Sequence, residues 1–419
     1  MIIHLVSQAY RRRWCQPLHT AHGVWRWRQG LLVRLENDRG RVGYGEIAPL
    51  PWFGSETLTM AQDFCTHLGS VLTVEEIEGI PDCLPATQFA LASALEQIQT
   101  ITPVPRVSMA SHCHLLPSGE TAMEAWRPLW RKGIRTFKLK LGLDRLAIEM
   151  ALVQALVAAL PAAGHLRLDA NGGLSLTAAR QWLTLCDRLQ AIPDRCRIDY
   201  LEQPLPPTEA PRLWSLAQSF STPVALDESV ATYQHLEEFC RLGWPGPLIV
   251  KPAIAGFPQR LRQIWTQYLP SLIFSSVFET NIGRRALLTL ATEYHHYSDQ
   301  HQALGLGESI TSRITGIVLL LTNYGHAFRL LFSPLPVNSG TTMPGSRLAG
   351  VSRWGWGGGR LFPPAILEQL RKPSPKLGEN GSIWPSSLYP GAPSLALPDG
   401  NFSGPGGASP SSANQSPVG

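Results

Sequence analysis

The sequence lacks long apolar runs and paired cysteines, and these absences exclude several protein classes. The apolar stretch ITGIVLLL at 314–321 is far shorter than the roughly 20 residues that a transmembrane helix needs. The seven cysteines are scattered, odd in number and without CxxC spacing, which is typical of reduced thiols rather than a disulfide framework. In the N-terminal segment MIIHLVSQAYRRRW the charges follow the apolar residues, which is not the order of a signal peptide. We therefore expect a cytoplasmic protein that does not span a membrane.

The chain also lacks a strong charge of one sign. Its formal net charge is +5, and this value alone argues neither for nor against a nucleic-acid partner. The one basic run (Arg11, Arg12 and Arg13, beside Trp14) is more typical of a solvated strand end than of a nucleic-acid patch, so we expect no such partner. A hydrophobic content of 44% in 419 residues fits a soluble globular protein with a barrel-sized domain, a smaller domain and a tail.

Strand-like and helix-like segments alternate from residue 106 onward. Strands are predicted at 107–115, 136–141, 165–170, 197–202, 223–228, 247–251, 271–278 and 303–306. Helices are predicted between them at 121–131, 143–160, 176–189, 209–219, 233–242, 259–268 and 283–297. This α/β alternation predicts a parallel sheet, and eight strands can close into a barrel. An open doubly wound sheet is the alternative, but its glycine-rich phosphate turn after the first strand is missing.

The chain divides into three predicted parts. Residues 1–103 are α+β in character, with strands at 2–6, 30–36 and 43–47 and helices at 56–68 and 86–99. The TPVP stretch at 102–105 marks the boundary to the barrel domain, which is predicted to cover residues 104–332. Residues 333–419 are rich in glycine, proline and serine with weak periodicity, which predicts a mostly disordered tail.

Three acidic residues each end their own apolar run: Asp169 in HLRLDAN, Glu202 in IDYLEQP and Asp227 in VALDES. They are separated by roughly 25 to 33 residues, which is about the length of one βα unit. Each therefore lies at the same end of successive strands, and three converging carboxylates make a site for a hard cation. No cysteine or histidine stands at these strand ends, so zinc is not expected.

Lysines flank these acids on both sides. Lys140 in TFKLKLG lies upstream, and Lys251 in LIVKPA lies downstream. Residues two apart on a strand share a face. Lys138 should therefore point the same way as Lys140, and Arg167 and Asn171 should point the same way as Asp169 on the next strand. Buried unpaired amines are costly, so these groups need partners or a chemical task. The flanking amines predict a place for proton transfer.

The motifs KxK, DxN, ExP, DES and VKP on five successive strands together resemble the lysine-base branch of the enolase superfamily. GYGEIAPLPWFGSET at 43–57 and SSVFETNIG at 275–283 are similar to the N-terminal signature and the seventh-strand motif of the o-succinylbenzoate synthase family. The resemblance covers roughly residues 25–307. It implies a (β/α)8-type barrel with an N-terminal α+β capping domain over its mouth.

The resemblance also implies roles for these residues. Asp169, Glu202 and Asp227 would bind Mg²⁺, for which Mn²⁺ can substitute. Lys140 would be the general base and then the acid, with Lys138 acting on it by like-charge repulsion, while Lys251 would stabilise the intermediate from the opposite face. Arg167 and Asn171 would support the metal ligands or contact the substrate, and Glu228 would give outer support. Further substrate contacts would come from Ser275, Ser276 and Gly283.

The implied activity is a metal-dependent dehydration on a small carboxylate substrate. It would convert 2-succinyl-6-hydroxy-2,4-cyclohexadiene-1-carboxylate to o-succinylbenzoate in menaquinone or phylloquinone biosynthesis, through α-proton abstraction and a magnesium-stabilised enediolate. An N-acylamino acid racemase or a muconate cycloisomerase-like enzyme uses the same lysines and acids and stays an alternative, as does a non-catalytic barrel protein. Dipeptide epimerases typically add an acidic motif on the eighth strand, which ALGLG at 303–307 lacks.

Overall fold

A computed structural model describes residues 1–20, 23–100, 112–298 and 303–305 of the chain. The predicted boundary at 102–105 and the predicted tail at 333–419 lie outside these residues, so both stay predictions. Within the described residues, no helix is both long and apolar enough to cross a bilayer. Six of the cysteines fall in these ranges with their side chains described, and all six are free thiols.

An antiparallel sheet and three helices form the N-terminal part. The strands are β1 (Ile3–Thr20), β2 (Gly23–Asn37), β3 (Val42–Ile47) and β4 (Val71–Leu72), in the spatial order β3-β2-β1-β4. The helices are α1 (Leu58–Leu68), α2 (Val74–Glu78) and α3 (Pro85–Gln99). A 3-10 turn over Pro51–Phe53 connects the sheet to α1.

Helix α3 packs directly on the backbone of β3 because the contact uses very small residues. A Cβ atom at Gly43 would lie 1.9 Å from the carbonyl oxygen of Ala94, and one at Gly45 would lie 2.1 Å from that of Ala90. Any larger residue at either glycine would therefore push the helix off the strand. The GYG part of the N-terminal motif thus has a packing role.

The β1–β2 hairpin is much longer than the predicted strands at 2–6 and 30–36. Its outer half is held by cross-strand contacts, such as the Arg11 guanidinium lying 4.2 Å from the ring centroid of Trp27. Such pairs stabilise a sheet but are not visible in either strand alone. The basic run consequently lies within β1, where Arg11 and Arg13 are exposed, and not at a strand end as expected.

The remaining described residues form a parallel barrel, as predicted. Its strands are β5 (Cys113–Leu115), β6 (Thr136–Lys140), β7 (His165–Asp169), β8 (Arg197–Glu202), β9 (Val224–Ala225), β10 (Leu248–Val250) and β11 (Leu272–Phe274). Strands β5 to β9 pair in sequence order, and β10 pairs with β11. Single parallel bridges connect these sheets. One, from Leu226 to Leu248, lies between β9 and β10. Two others, from Ser275 to Gly305 and from Leu304 to His112, close the barrel through the eighth-strand position. This closure excludes the open-sheet alternative.

Helices cover the outside of the barrel at the predicted places. They are α4 (Ala122–Arg131), α5 (Leu146–Ala159), α6 (Leu176–Gln190), α7 (Ala210–Ser219), α8 (Tyr233–Arg241), α9 (Pro258–Tyr268) and α10 (Asn281–Ser298). Strands β9, β10 and β11 are clearly shorter than predicted, because the chain turns sharply where polar residues begin. Two of these turns are 3-10 turns, over Glu228–Val230 after β9 and over Pro252–Ile254 after β10.

The buried carboxylate of Glu46 connects the N-terminal sheet to the barrel. Glu46, on β3, accepts hydrogen bonds from the backbone amides of Thr280 (2.8 Å) and Gly283 (3.0 Å) at the start of α10. It also accepts one from the Tyr10 hydroxyl at 2.5 Å. Burial, followed by the charge of Glu46, raises the pKa of Tyr10 well above its usual value, so this hydroxyl stays a donor. A negative group at a helix N-terminus satisfies free amides and the helix dipole.

We predict that Glu46→Gln lowers the free energy of unfolding by about 1.5–3 kcal/mol, because hydrogen bonds to a charged acceptor are replaced by weaker ones. Thermal unfolding followed by circular dichroism measures the change. Glu36→Gln is the control, since Glu36 forms a partly exposed ion pair with Arg34 on the same sheet and should cost about 0–1 kcal/mol. Equal losses in the two variants would contradict a special role for Glu46.

Candidate active site

The three predicted acids lie together at the carboxyl ends of adjacent barrel strands. Asp169 and Glu202 are the last residues of β7 and β8 and are partners in the strand ladder. Asp227 follows β9 after one intervening residue, Leu226. All three are almost completely buried, with exposures of 2%, 1% and 5%. Carboxylates so deeply buried need positive partners, because an isolated buried charge is very costly.

Two lysines supply part of that positive charge. The Lys138 Nζ lies 2.8 Å from Asp169 Oδ2 and 2.6 Å from Glu202 Oε1, and Lys251 pairs with Asp227. Burial alone would lower the pKa of Lys138, but the charges of Asp169 and Glu202 outweigh it and raise that pKa well above its usual value. Lys138 is therefore a fixed cation.

The lysines do not fully compensate the acids. Burial, and then the charges of Asp169 and Asp227, raise the pKa of Glu202 to about 8. The pKa of Asp169 moves the other way: burial would raise it, but Lys138 and Lys140 hold it below its usual value. The cluster can thus hold more positive charge than its lysines provide.

The donor set fits a magnesium ion. As the side chains stand, the described residues contain no trio of acidic, histidine or cysteine groups arranged around a common metal position, since the carboxylates are turned towards lysines. The donors are nevertheless all carboxylate oxygens on three adjacent strand ends, which suits a hard divalent cation. A buried oxygen of the nearby Glu228, Oε2, has no hydrogen-bond partner. The incompletely compensated negative charge of the carboxylates and this unpartnered oxygen both support a magnesium ion at this position.

Lys140 differs from the other two lysines in its partners. Its Nζ donates to Asn171 Oδ1 at 2.5 Å and is 3.8 Å from Asp169. The Asn171 amide in turn donates to Glu228 Oε1 at 3.1 Å. The Lys140 side chain is 34% exposed, against 10% for Lys251. Lys140 is therefore the most exposed of the three lysines, and Asn171 connects it to Glu228.

Arg167 lies one layer below this cluster. It stacks on Tyr200 at 5.2 Å, and its guanidinium donates to Asp199 at 3.1 Å and to the Ala303 carbonyl at 2.7 Å. These groups border a cavity of about 630 Å³ at the opposite, amino-terminal ends of the strands. None of the hydrogen bonds described for Arg167 reaches an acid of the cluster, so its expected support or substrate role stays a prediction.

Ser275, Ser276 and Gly283 line the rim after β11. The Ser275 hydroxyl donates to the Gly305 carbonyl at 3.0 Å, and the Ser276 hydroxyl donates to Glu279 at 2.8 Å. A Cβ atom at Gly283 would lie 3.0 Å from Glu46, so glycine is also needed there for packing. Their expected contacts with a substrate stay predictions.

The sequence reasoning missed two residues that the N-terminal part brings to the barrel mouth. The ring of Phe53 lies 3.9 Å from the Lys251 Nζ, in a cation–π contact. Arg28 on β2 donates to the carbonyls of Pro49 and Phe278. Phe53 lies within the N-terminal signature at 43–57, which indicated the importance of the segment but not the contact of this residue with Lys251. The partners of Arg28 are backbone carbonyls far away in the sequence, so no local pattern could reveal it.

Two family models match the chain: "MenC, N-terminal domain" over residues 20–98 and "Enolase C-terminal domain-like" over residues 121–255. An o-succinylbenzoate synthase of Thermosynechococcus vestitus is 43% identical over 277 residues, covering 66% of this chain and 84% of that protein. The chain belongs to the o-succinylbenzoate synthase family. Another member, from Edwardsiella ictaluri, is 33% identical and is covered over 78% of its length.

Solved structures of similar proteins agree with the fold. The o-succinylbenzoate synthase of Thermosynechococcus elongatus, complexed with magnesium in its active site, superposes with a TM-score of 0.69. It is 38% identical, and the match covers 78% of this chain and 99% of that one. The L-Ala-D/L-Glu epimerase of Bacillus subtilis (TM-score 0.61, 19% identity, 75% of this chain and 91% of that one) shares the fold alone.

We predict that Asp169→Asn and Glu202→Gln each weaken Mg²⁺ binding at least about tenfold, because each removes a charged oxygen ligand. Isothermal titration calorimetry with MgCl₂ measures the Kd. Asp63→Asn is the matched control, since Asp63 is exposed on α1 and should leave the Kd unchanged. An unchanged Kd in both cluster variants would overturn the metal assignment.

Proposed function

We propose that this protein dehydrates 2-succinyl-6-hydroxy-2,4-cyclohexadiene-1-carboxylate to o-succinylbenzoate, as a lyase of menaquinone or phylloquinone biosynthesis. Its membership of the o-succinylbenzoate synthase family supports this reaction. The observation that carries the proposal is the division among the lysines. Lys138 and Lys251 are ion-paired to buried carboxylates within hydrogen-bond distance, whereas the more exposed Lys140 bonds to a neutral amide.

Three side chains of this chain would hold the metal: Asp169, Glu202 and Asp227. We propose Mg²⁺, with Mn²⁺ as a substitute, because both are hard cations that prefer oxygen ligands. When bound, such an ion supplies positive charge where the substrate carboxylate gains negative charge. Lys138 supports the same region from below through its bonds to Asp169 and Glu202.

Lys140 is assigned both proton transfers. Its unprotonated amine removes the proton from the ring carbon that bears the carboxylate, and the electron pair moves towards that carboxylate. The resulting ammonium then returns the proton to the departing hydroxyl group on the neighbouring carbon, which leaves as water. The electron pair returns from the carboxylate to form a third ring double bond between these two carbons, which makes the product aromatic. Asn171 holds the amine in position between the two steps.

Lys251 is assigned a purely electrostatic role. It is nine-tenths buried between Asp227 and the face of Phe53, so it has little freedom to move towards a proton. A cation fixed in this way stabilises negative charge on the substrate without exchanging a proton. In a racemase of the same superfamily the corresponding lysine would act as a second base, and this difference separates the two functions experimentally.

We predict that Lys140→Arg reduces kcat by at least about 10²–10⁴-fold, because a guanidinium cannot act as a base near neutral pH. Lys251→Arg keeps the positive charge, so it should retain more activity than Lys251→Ala. The measurement is the absorbance of the aromatic product at saturating MgCl₂. An N-acylamino acid racemisation assay runs beside it. If Lys251→Arg is as inactive as Lys140→Arg, both lysines transfer protons and the racemase becomes the better assignment.

A further inference from the structure

Arg28 is a buried cation whose charge has no counterion among the described residues. It is 3% exposed, and no described carboxylate lies within 4.0 Å of its nitrogens. Its hydrogen bonds all go to carbonyl oxygens, namely Gln29 at 2.7 Å, Pro49 at 3.2 Å and Phe278 at 3.3 Å. A buried charge without a counterion is expensive, so a group of this kind is expected to serve a ligand.

One nitrogen of Arg28 has no hydrogen-bond partner. Its Nη2 is buried and makes no hydrogen bond. A second buried donor without a hydrogen-bond partner is Trp14 Nε1. Both groups border the same ring, because the Arg28 guanidinium carbon is 5.5 Å and the Trp14 ring 5.4 Å from the ring centroid of Trp25. Both donors thus belong to residues that contact Trp25, and unsatisfied buried donors of this kind suit an anionic acceptor.

This donor pair lies beside the mouth of the barrel. Trp25 contacts Trp52 at 5.2 Å, and the adjacent Phe53 covers Lys251. Phe278, whose carbonyl holds Arg28, follows the rim residues after β11 and contacts Trp14 at 5.4 Å. The free donors are therefore on the capping side of the substrate site, opposite the strand ends that carry the acids.

We propose that Arg28 Nη2 and Trp14 Nε1 bind the distal carboxylate of the succinyl side chain. This inference rests on the proposed function, whose substrate carries two carboxylates. The ring carboxylate reacts at the barrel mouth, and the second one needs a separate cation when it leaves water. The three mouth lysines already have partners, whereas Arg28 has a charge and a free donor but no counterion.

The test compares two ligands by calorimetry on the magnesium-loaded enzyme: o-succinylbenzoate and 2-butanoylbenzoate, which lacks the distal carboxylate. The wild type should bind o-succinylbenzoate about 10- to 100-fold more tightly, as expected for hydrogen bonds between charged groups. Arg28→Met should abolish this preference while leaving the affinity for 2-butanoylbenzoate unchanged. Trp14→Phe keeps the ring and removes the donor, so it should reduce the preference partly.

Arg26→Met is the matched control, because Arg26 is exposed on the same strand. It should preserve the full preference. If Arg28→Met weakens both ligands equally, or leaves the preference intact, the proposal is overturned and Arg28 is a structural residue. A melting temperature and a Mg²⁺ Kd equal to those of the wild type show that the variant is folded. The binding assay needs no turnover, so a wild type that binds with this preference but does not dehydrate the substrate would refute the proposed function alone.

Discussion

The barrel mouth depends on a shortage of positive charge among buried carboxylates. Lys138 lies between Asp169 and Glu202, Lys251 pairs with Asp227, and Lys140 is 3.8 Å from Asp169. The pKa of Glu202 is raised to about 8 because burial and the negative charges of Asp169 and Asp227 outweigh the positive charge of Lys138. Parallel strands create this situation, because they bring their carboxyl ends to one edge and so force like charges together. A divalent cation relieves the repulsion, so metal binding should stabilise the fold as well as serve the chemistry.

Much of the fold and of the site could be predicted from the sequence because both follow strand periodicity. The acids end apolar runs at regular spacing, and a parallel sheet leaves few ways to arrange such residues other than side by side. The helix positions were predicted within a few residues for the same reason. The three strands that carry the rim were overestimated, since Asp227 and Lys251 belong to turns and Ser275 forms only a single bridge, to Gly305.

The remaining features depend on contacts that no local pattern contains. The alternation of side chains along β7 correctly placed Arg167 on the inner face of the barrel. Its hydrogen bonds to Asp199 and to the Ala303 carbonyl decide which end of the barrel its long side chain approaches. The length of the first hairpin depends on pairs such as Arg11 with Trp27, which form only after the strands align. Arg28 is defined by carbonyls at positions 49 and 278, so its role is a property of the assembled structure.

The bond between Glu46 and the start of α10 makes the rim of the barrel a shared part of both halves of the molecule. The segment from Ser275 to Gly283 belongs to the barrel in sequence, yet its helix start is completed by a carboxylate from β3. Grafting the capping sheet of one family member onto the barrel of another would therefore separate a helix from its own cap. A functional chimera would need to inherit both segments from the same parent, and natural variation at the two sites should be coupled for the same reason.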